Sequence, residues 1–207
     1  MKKWILILLC SILFLMSGCE TNQQKPANGL TVQPLKMSKR EKDILDLTLP
    51  SDHLFLEVNG AEKKLKAIKL SLELYENGKL KKDLPLFTIH SKKTKKALIF
   101  YRQEMEKEKK KTKISYYASV KSEGGLMSGG DSISVSSFSD SNSASIRLSD
   151  QTIIKPGESI ILYAFAENQH DKSGIPMRSD IFTGNKEAVQ KLLKNSRVIL
   201  FKMKVEF

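Results

Sequence analysis

Residues 66–78 read KAIKLSLELYENG and alternate strictly. Ile68, Leu70, Leu72 and Leu74 point one way, and Lys69, Ser71, Glu73 and Tyr75 point the other. A period of two belongs to an extended strand with one face buried and the other in water. Asn77-Gly78 then supplies two neighbours that tolerate positive φ, the chemistry of a tight hairpin turn. A half-buried strand running into such a turn commits this part of the chain to antiparallel sheet.

The flanking sequence repeats the pattern. His53 to Val58 reads as a strand, and Asn59-Gly60 after it reads as another hairpin turn. Further strands are expected over 84–90, 96–103, 112–121, 132–138 and 144–149, then from Ser159 to Ala166 and from Ile199 to Phe207. Gly124-Gly125 and Gly129-Gly130 are expected to bracket a loop. Ser38-Lys39-Arg40-Glu41 has the form of a capping box, and Ile44, Leu45 and Leu47 follow, so a short helix is expected near 39–47. Asn185 can cap a second helix whose apolar face is Ala188, Val189, Leu192 and Leu193, with Asn195 ending it in the left-handed region. About nine strands, two short helices and no βαβ alternation predict a mainly β protein, an antiparallel β-sandwich formed as one domain over 38–207. Ile154-Lys155-Pro156-Gly157-Glu158-Ser159-Ile160 resembles the Pro-Gly-Glu segment that precedes a core strand in immunoglobulin-like exported modules, which implies a sandwich of that kind.

The N-terminus is of another character. Lys2 and Lys3 precede an apolar run from Trp4 to Met16, and Ser17-Gly18-Cys19 follows. The run is shorter than the ~20 apolar residues a membrane-spanning helix needs and has the length of a signal-peptide core. Leu15-Met16-Ser17-Gly18-Cys19 resembles the lipobox of bacterial lipoproteins, with Met16 where leucine is more usual. The resemblance implies cleavage between Gly18 and Cys19 and lipid on the Cys19 sulfur, a signal peptide over 1–18, and attachment to the extracytoplasmic face of the cell membrane. Two acyl chains, at ~0.8 kcal/mol per buried methylene, anchor stably where one does not. Residues 20–37 are polar, carry Pro26, Gly29 and Pro34, and read as a flexible tether after Cys19. Lipobox, capped first helix and β-sandwich together resemble small lipoproteins of Bacillus-type Gram-positive bacteria.

Composition bounds the rest. Cys10 and Cys19 are the two cysteines in the sequence, so the sandwich can form no disulfide of its own and must hold together by its core. The formal net charge is +12. A basic protein at the outer face of a membrane meets anionic headgroups and, in a Gram-positive wall, anionic polymers; nucleic acid is not an expected partner there. Lys92, Lys93, Lys95 and Lys96 precede one strand, and Lys109, Lys110 and Lys111 sit with Lys107 and Lys113 in the next loop. These runs either solubilise loops or bind an anionic surface, and pairing of the intervening strand as a hairpin would put them at its opposite ends.

Motifs for chemistry are scarce. His53, His90 and His170 have no second ligand at metal-binding spacing. Leu126-Met127-Ser128-Gly129-Gly130 lacks the first glycine of a nucleophile elbow. Asp131, Asp140 and Asp150 are too widely spaced for a calcium loop. No metal and no cofactor is expected. The expectation is a non-catalytic module binding an envelope protein or anionic wall polymer; the alternative is an enzyme acting on cell-wall or surface polymer.

Overall fold

The computed structural model describes residues 29–49, 52–60, 66–90, 96–137, 142–155, 157–169 and 174–206. Eleven strands appear among them: β1 (Leu30–Pro34), β2 (His53–Gly60), β3 (Ala67–Glu76), β4 (Lys79–His90), β5 (Lys96–Lys107), β6 (Lys111–Ser122), β7 (Gly125–Ser136), β8 (Asn142–Arg147), β9 (Thr152–Ile154), β10 (Ser159–Asn168) and β11 (Arg197–Glu206). They form a six-stranded sheet in the order β7-β6-β5-β2-β1-β9 and a five-stranded sheet in the order β4-β3-β11-β10-β8. Every pairing between them is antiparallel. The chain is the two-sheet β-sandwich its alternation predicts.

The core lies between the sheets. Leu56, Ile99, Ile114 and Val120 come from the first sheet; Leu70, Leu72, Phe201 and Met203 come from the second. Tyr101 stacks on Phe201 with ring centroids 4.1 Å apart and planes within 10°, which joins the two layers. Strand β10 is buried along most of its length because both its faces are covered. Its outer face takes a 3-10 turn (Ser179–Thr183), and helix α2 (Lys186–Leu193) packs against that turn and β11; together they bury Ile181, Phe182, Ala188 and Leu192. Asn185 caps α2 by accepting from the Glu187 and Ala188 amides. Helix α1 (Lys39–Thr48) begins with the expected capping box, Ser38 to Glu41 and back, but buries none of its residues.

Several expectations change. Asn77-Gly78 does turn β3 into β4, with φ of 50° and 75°. Asn59-Gly60 is no hairpin: it is paired strand, with β1 on one side, and Asn59 faces Lys96 of β5 on the other. The segment Gly124 to Gly130 is no loop. From Gly125 it is strand β7, which pairs with β6 as far as Lys111 and Ser136. Asn195 does not adopt positive φ; its amide nitrogen instead donates to the Leu192 carbonyl, which satisfies a C-terminal acceptor of α2 directly. The largest correction falls on the tether. Leu30 and Val32 are fully buried, and β1 lies between β2 and β9, so the sandwich starts eight residues before position 38. Pro34 is tolerated because β9 has already ended: its last partner in β1 is Val32.

Candidate functional site

The strand registers give the sandwich two poles. At one, Leu30 faces Gly60 and Ile154, and Asn59 faces Lys96. At the other, β5 turns into β6 at Lys107–Lys111, β3 turns into β4, and Arg197 opens β11. The chain enters at the first pole. The second therefore lies about 40 Å further on, the length of a twelve-residue strand.

At the second pole the space between the sheets is polar. Facing strands of a sandwich normally interdigitate apolar side chains there. Here β8 turns Ser143, Ser145 and Arg147 inward, because these pair with Glu167, Phe165 and Tyr163, inner-face residues of β10. From the opposite sheet come Gln103, Met105 and Lys107 of β5 and Asp52 before β2. The resulting cleft has a larger chamber of about 800 Å³, lined among others by Asp52, Gln103, Glu106, Lys107, Ser143 and Glu167. A second chamber of about 460 Å³ continues past His53, Ser145, Arg147 and Tyr163. Two contacts cross between the sheets in the second chamber: Ser145 Oγ donates to Asp52 Oδ1 at 3.1 Å, and Arg147 Nη1 donates to the His53 carbonyl at 3.1 Å.

The floor of the cleft is charged and tightly held. The Arg197 and Glu167 side chains are 1% and 3% exposed and meet at 2.8 Å, Nη1 to Oε2. Lys107 lies 3.6 Å from the other Glu167 oxygen, Glu76 lies 3.7 Å from Arg197, and Arg197 Nη2 also donates to the Ser136 carbonyl across the sandwich. A buried cation and carboxylate so paired offset part of the cost of taking both out of water. Burial pushes the Tyr101 and Tyr163 hydroxyls well above their usual range, and the Asp52 charge adds to both shifts. Both therefore stay protonated. Tyr101 donates to Gln103 Oε1 at 2.8 Å. That leaves the Gln103 amide nitrogen buried with no hydrogen-bond partner among the described residues.

Of the first lysine run only Lys96 is described, and it lies apart from Lys109, Lys110 and Lys111. Lys96 sits at the first pole, 2.6 Å from Glu57, whose carboxyl is held below its ordinary range chiefly by that lysine and then by Asn59. Lys109, Lys110 and Lys111 are exposed at the second pole, where Lys79 and Lys82 leave the β3–β4 turn. Gly18, Cys19, Lys92, Lys93, Lys95, Asp140 and His170 lie outside the described residues. His53 borders the cleft, and His90 is exposed at the first pole. Asp131 accepts from the Ser132 amide, and Asp150 from the Ser149 hydroxyl. Among the described residues no three His, Cys, Asp or Glu side chains gather as a metal site. No described helix is long and apolar enough to cross a membrane.

Sequence reasoning missed Asp52, Gln103, Ser143, Ser145, Glu167 and Arg197. One signal was available. Arg197 is in phase with Ile199, Phe201, Met203 and Val205, so it had to point into the core, where it needs a carboxylate.

Fold and cleft together define a class: an antiparallel β-sandwich with a dry core and a polar cleft between its sheets at one pole. The chain belongs to the YgaN domain family, whose family model matches residues 31–205. The match begins within β1, in line with a domain that starts there. No curated protein and no solved structure matches the chain.

Proposed function

We propose that the protein is an extracytoplasmic lipoprotein, held at the cell membrane of a Gram-positive bacterium by lipid on Cys19. Its sandwich is a non-catalytic module that binds an envelope component, anionic wall polymer in the first place, at the pole farthest from the anchor. The supporting observation is where the chain enters. Ten residues separate Cys19 from Leu30, a reach of at most about 40 Å. The first pole, with Lys96, then faces the headgroups, and the second, with Lys109, Lys110 and Lys111, faces the wall. Exposed ammonium groups on a wall-facing pole attract polyphosphate-like chains without sequence of their own to read.

The enzymatic alternative has less to draw on. Both Glu167 oxygens are engaged by cations, so the buried carboxylate of the cleft is not free as an acid or base, and among the described residues Asp52 stands without a second carboxylate converging on it.

Two measurements test the reading. Cys19→Ala should leave the protein unprocessed or release it into the medium; a processed form still held at the membrane would sink the anchor. The protein should co-sediment with native wall and not with wall stripped of anionic polymer, and rising salt should release it. Changing Lys109, Lys110 and Lys111 together to Glu should abolish sedimentation, and Lys96→Glu should not. Equal sedimentation with native and stripped wall would refute polymer binding and turn the search to a protein partner.

A further inference from the structure

We propose that the cleft between β5, β8 and β10 binds a neutral saccharide, independently of the lysine pole and of the anchor. Three observations carry this. The larger chamber alone, at about 800 Å³, is within the range of small-molecule sites. Gln103 is 1% exposed, lines that chamber, and has its carbonyl oxygen taken by Tyr101, so its buried NH2 group awaits an acceptor. Asp52 and Glu167 face the same chamber, Glu167 already paired with Arg197 and Lys107, and Glu104 and Glu106 stand at its rim on the alternate phase of β5.

Those groups select the ligand. The carboxylates repel an anion, so the cleft does not take the polymer proposed for the lysines. An ammonium ligand would suit the carboxylates but has no acceptor to offer Gln103. A sugar hydroxyl both donates and accepts: it can accept from Gln103 Nε2 and donate to Asp52, while Ser143 meets a neighbouring hydroxyl and Met105 offers an apolar contact. An extended peptide also carries both functions, but peptides captured by sheets pair along a free strand edge. The cleft walls are chiefly side chains; the free edges beside them are β8 and the short stretch of β5 beyond its pairing with β2, and the tri-alanine probe tests those edges.

The test is a ligand-observed NMR titration of the full-length protein in detergent micelles. The probes are glucose, galactose, N-acetylglucosamine and diacetylchitobiose, with glycerol phosphate oligomers and a tri-alanine peptide for comparison. At least one neutral sugar should bind with a saturable isotherm that the oligomers do not compete away. Gln103→Leu should weaken it fivefold to tenfold, the worth of one hydrogen bond. Ser143→Trp, at an exposed β8 position, should fill the chamber and abolish binding while leaving wall sedimentation intact. Absence of binding by every sugar, equal affinity in both variants, or tighter binding of tri-alanine would each overturn the proposal. Loss of wall binding with sugar binding retained would count against the polymer reading alone.

Discussion

Arg197 shows how a single residue can be legible and still be missed. Its phase in β11 points it into the core, but nothing local names its partner, because Glu167 lies thirty positions away. The pair is dry, whereas Lys107, the third member, is 56% exposed. The three should therefore differ sharply in weight. Arg197→Met leaves Glu167 buried beside one distant ammonium and should cost about 3–5 kcal/mol in urea unfolding, the range for breaking a buried pair. Lys107→Ala should cost under about 1 kcal/mol, as solvent screens an exposed partner. The double change Arg197→Met with Glu167→Leu removes both charges and should recover much of the loss. A single Arg197→Met costing less than Lys107→Ala would show that water reaches the pair and that the cleft floor is not dry.

At the scale of elements, strands with clean alternation were readable and strands with unusual composition were not. β3, β5, β6 and β11 present apolar side chains at every second position, and each forms where its period puts it. β7 breaks the rule, since Gly129-Gly130 suggests a loop and proves to be mid-strand. Gly130 sits opposite Tyr117, and a Cβ on it would come within 2.5 Å of the Tyr116 carbonyl oxygen and 3.2 Å of the Tyr117 ring. The glycine thus permits close approach of two backbones, a role that local sequence does not distinguish from a turn. Gly130→Ala should force β6 and β7 apart and cost about 1–3 kcal/mol, the range for overpacking, and hydrogen exchange should accelerate along that ladder first. Gly129→Ala meets only the Phe87 ring, at 4.0 Å, and should be close to neutral. Comparable losses at the two glycines would contradict this account. β8 hid for a related reason. Ile146 and Leu148 do pack against the core, but pairing of Ile146 with Ala164 puts Ile146 on the outer face of the sheet and turns the serines into the cleft. Register belongs to the partner strand, and so the cleft could not be read from β8 alone.

For the whole molecule, the question is what one domain contains. The polar stretch after Cys19 reads as tether up to position 37, because five residues ending in proline are too short a pattern to outweigh their surroundings. Yet Leu30-Thr31-Val32-Gln33 alternates, and its apolar members are fully buried. Removing β1 deletes more than its own contacts. Among the described residues β9 pairs only with β1, so Thr152 to Ile154 loses its place and the buried Ile154 with it. Burial of Leu30, Val32 and Ile154 is worth about 1.5–3 kcal/mol each, against a total of about 5–15 kcal/mol for an ordinary domain. A chain beginning at position 38 should therefore express as a partly unfolded protein with no cooperative urea transition, and one beginning at position 21 should unfold in a single transition. Restoring only residues 29–37 should recover the transition, because the missing strand lies entirely within them. Were the shorter chain to unfold cooperatively at the same urea concentration, β1 would be a dispensable addition to the sheet. The tether would regain eight residues of reach, and the pole now argued to face the membrane would be free to turn away from it.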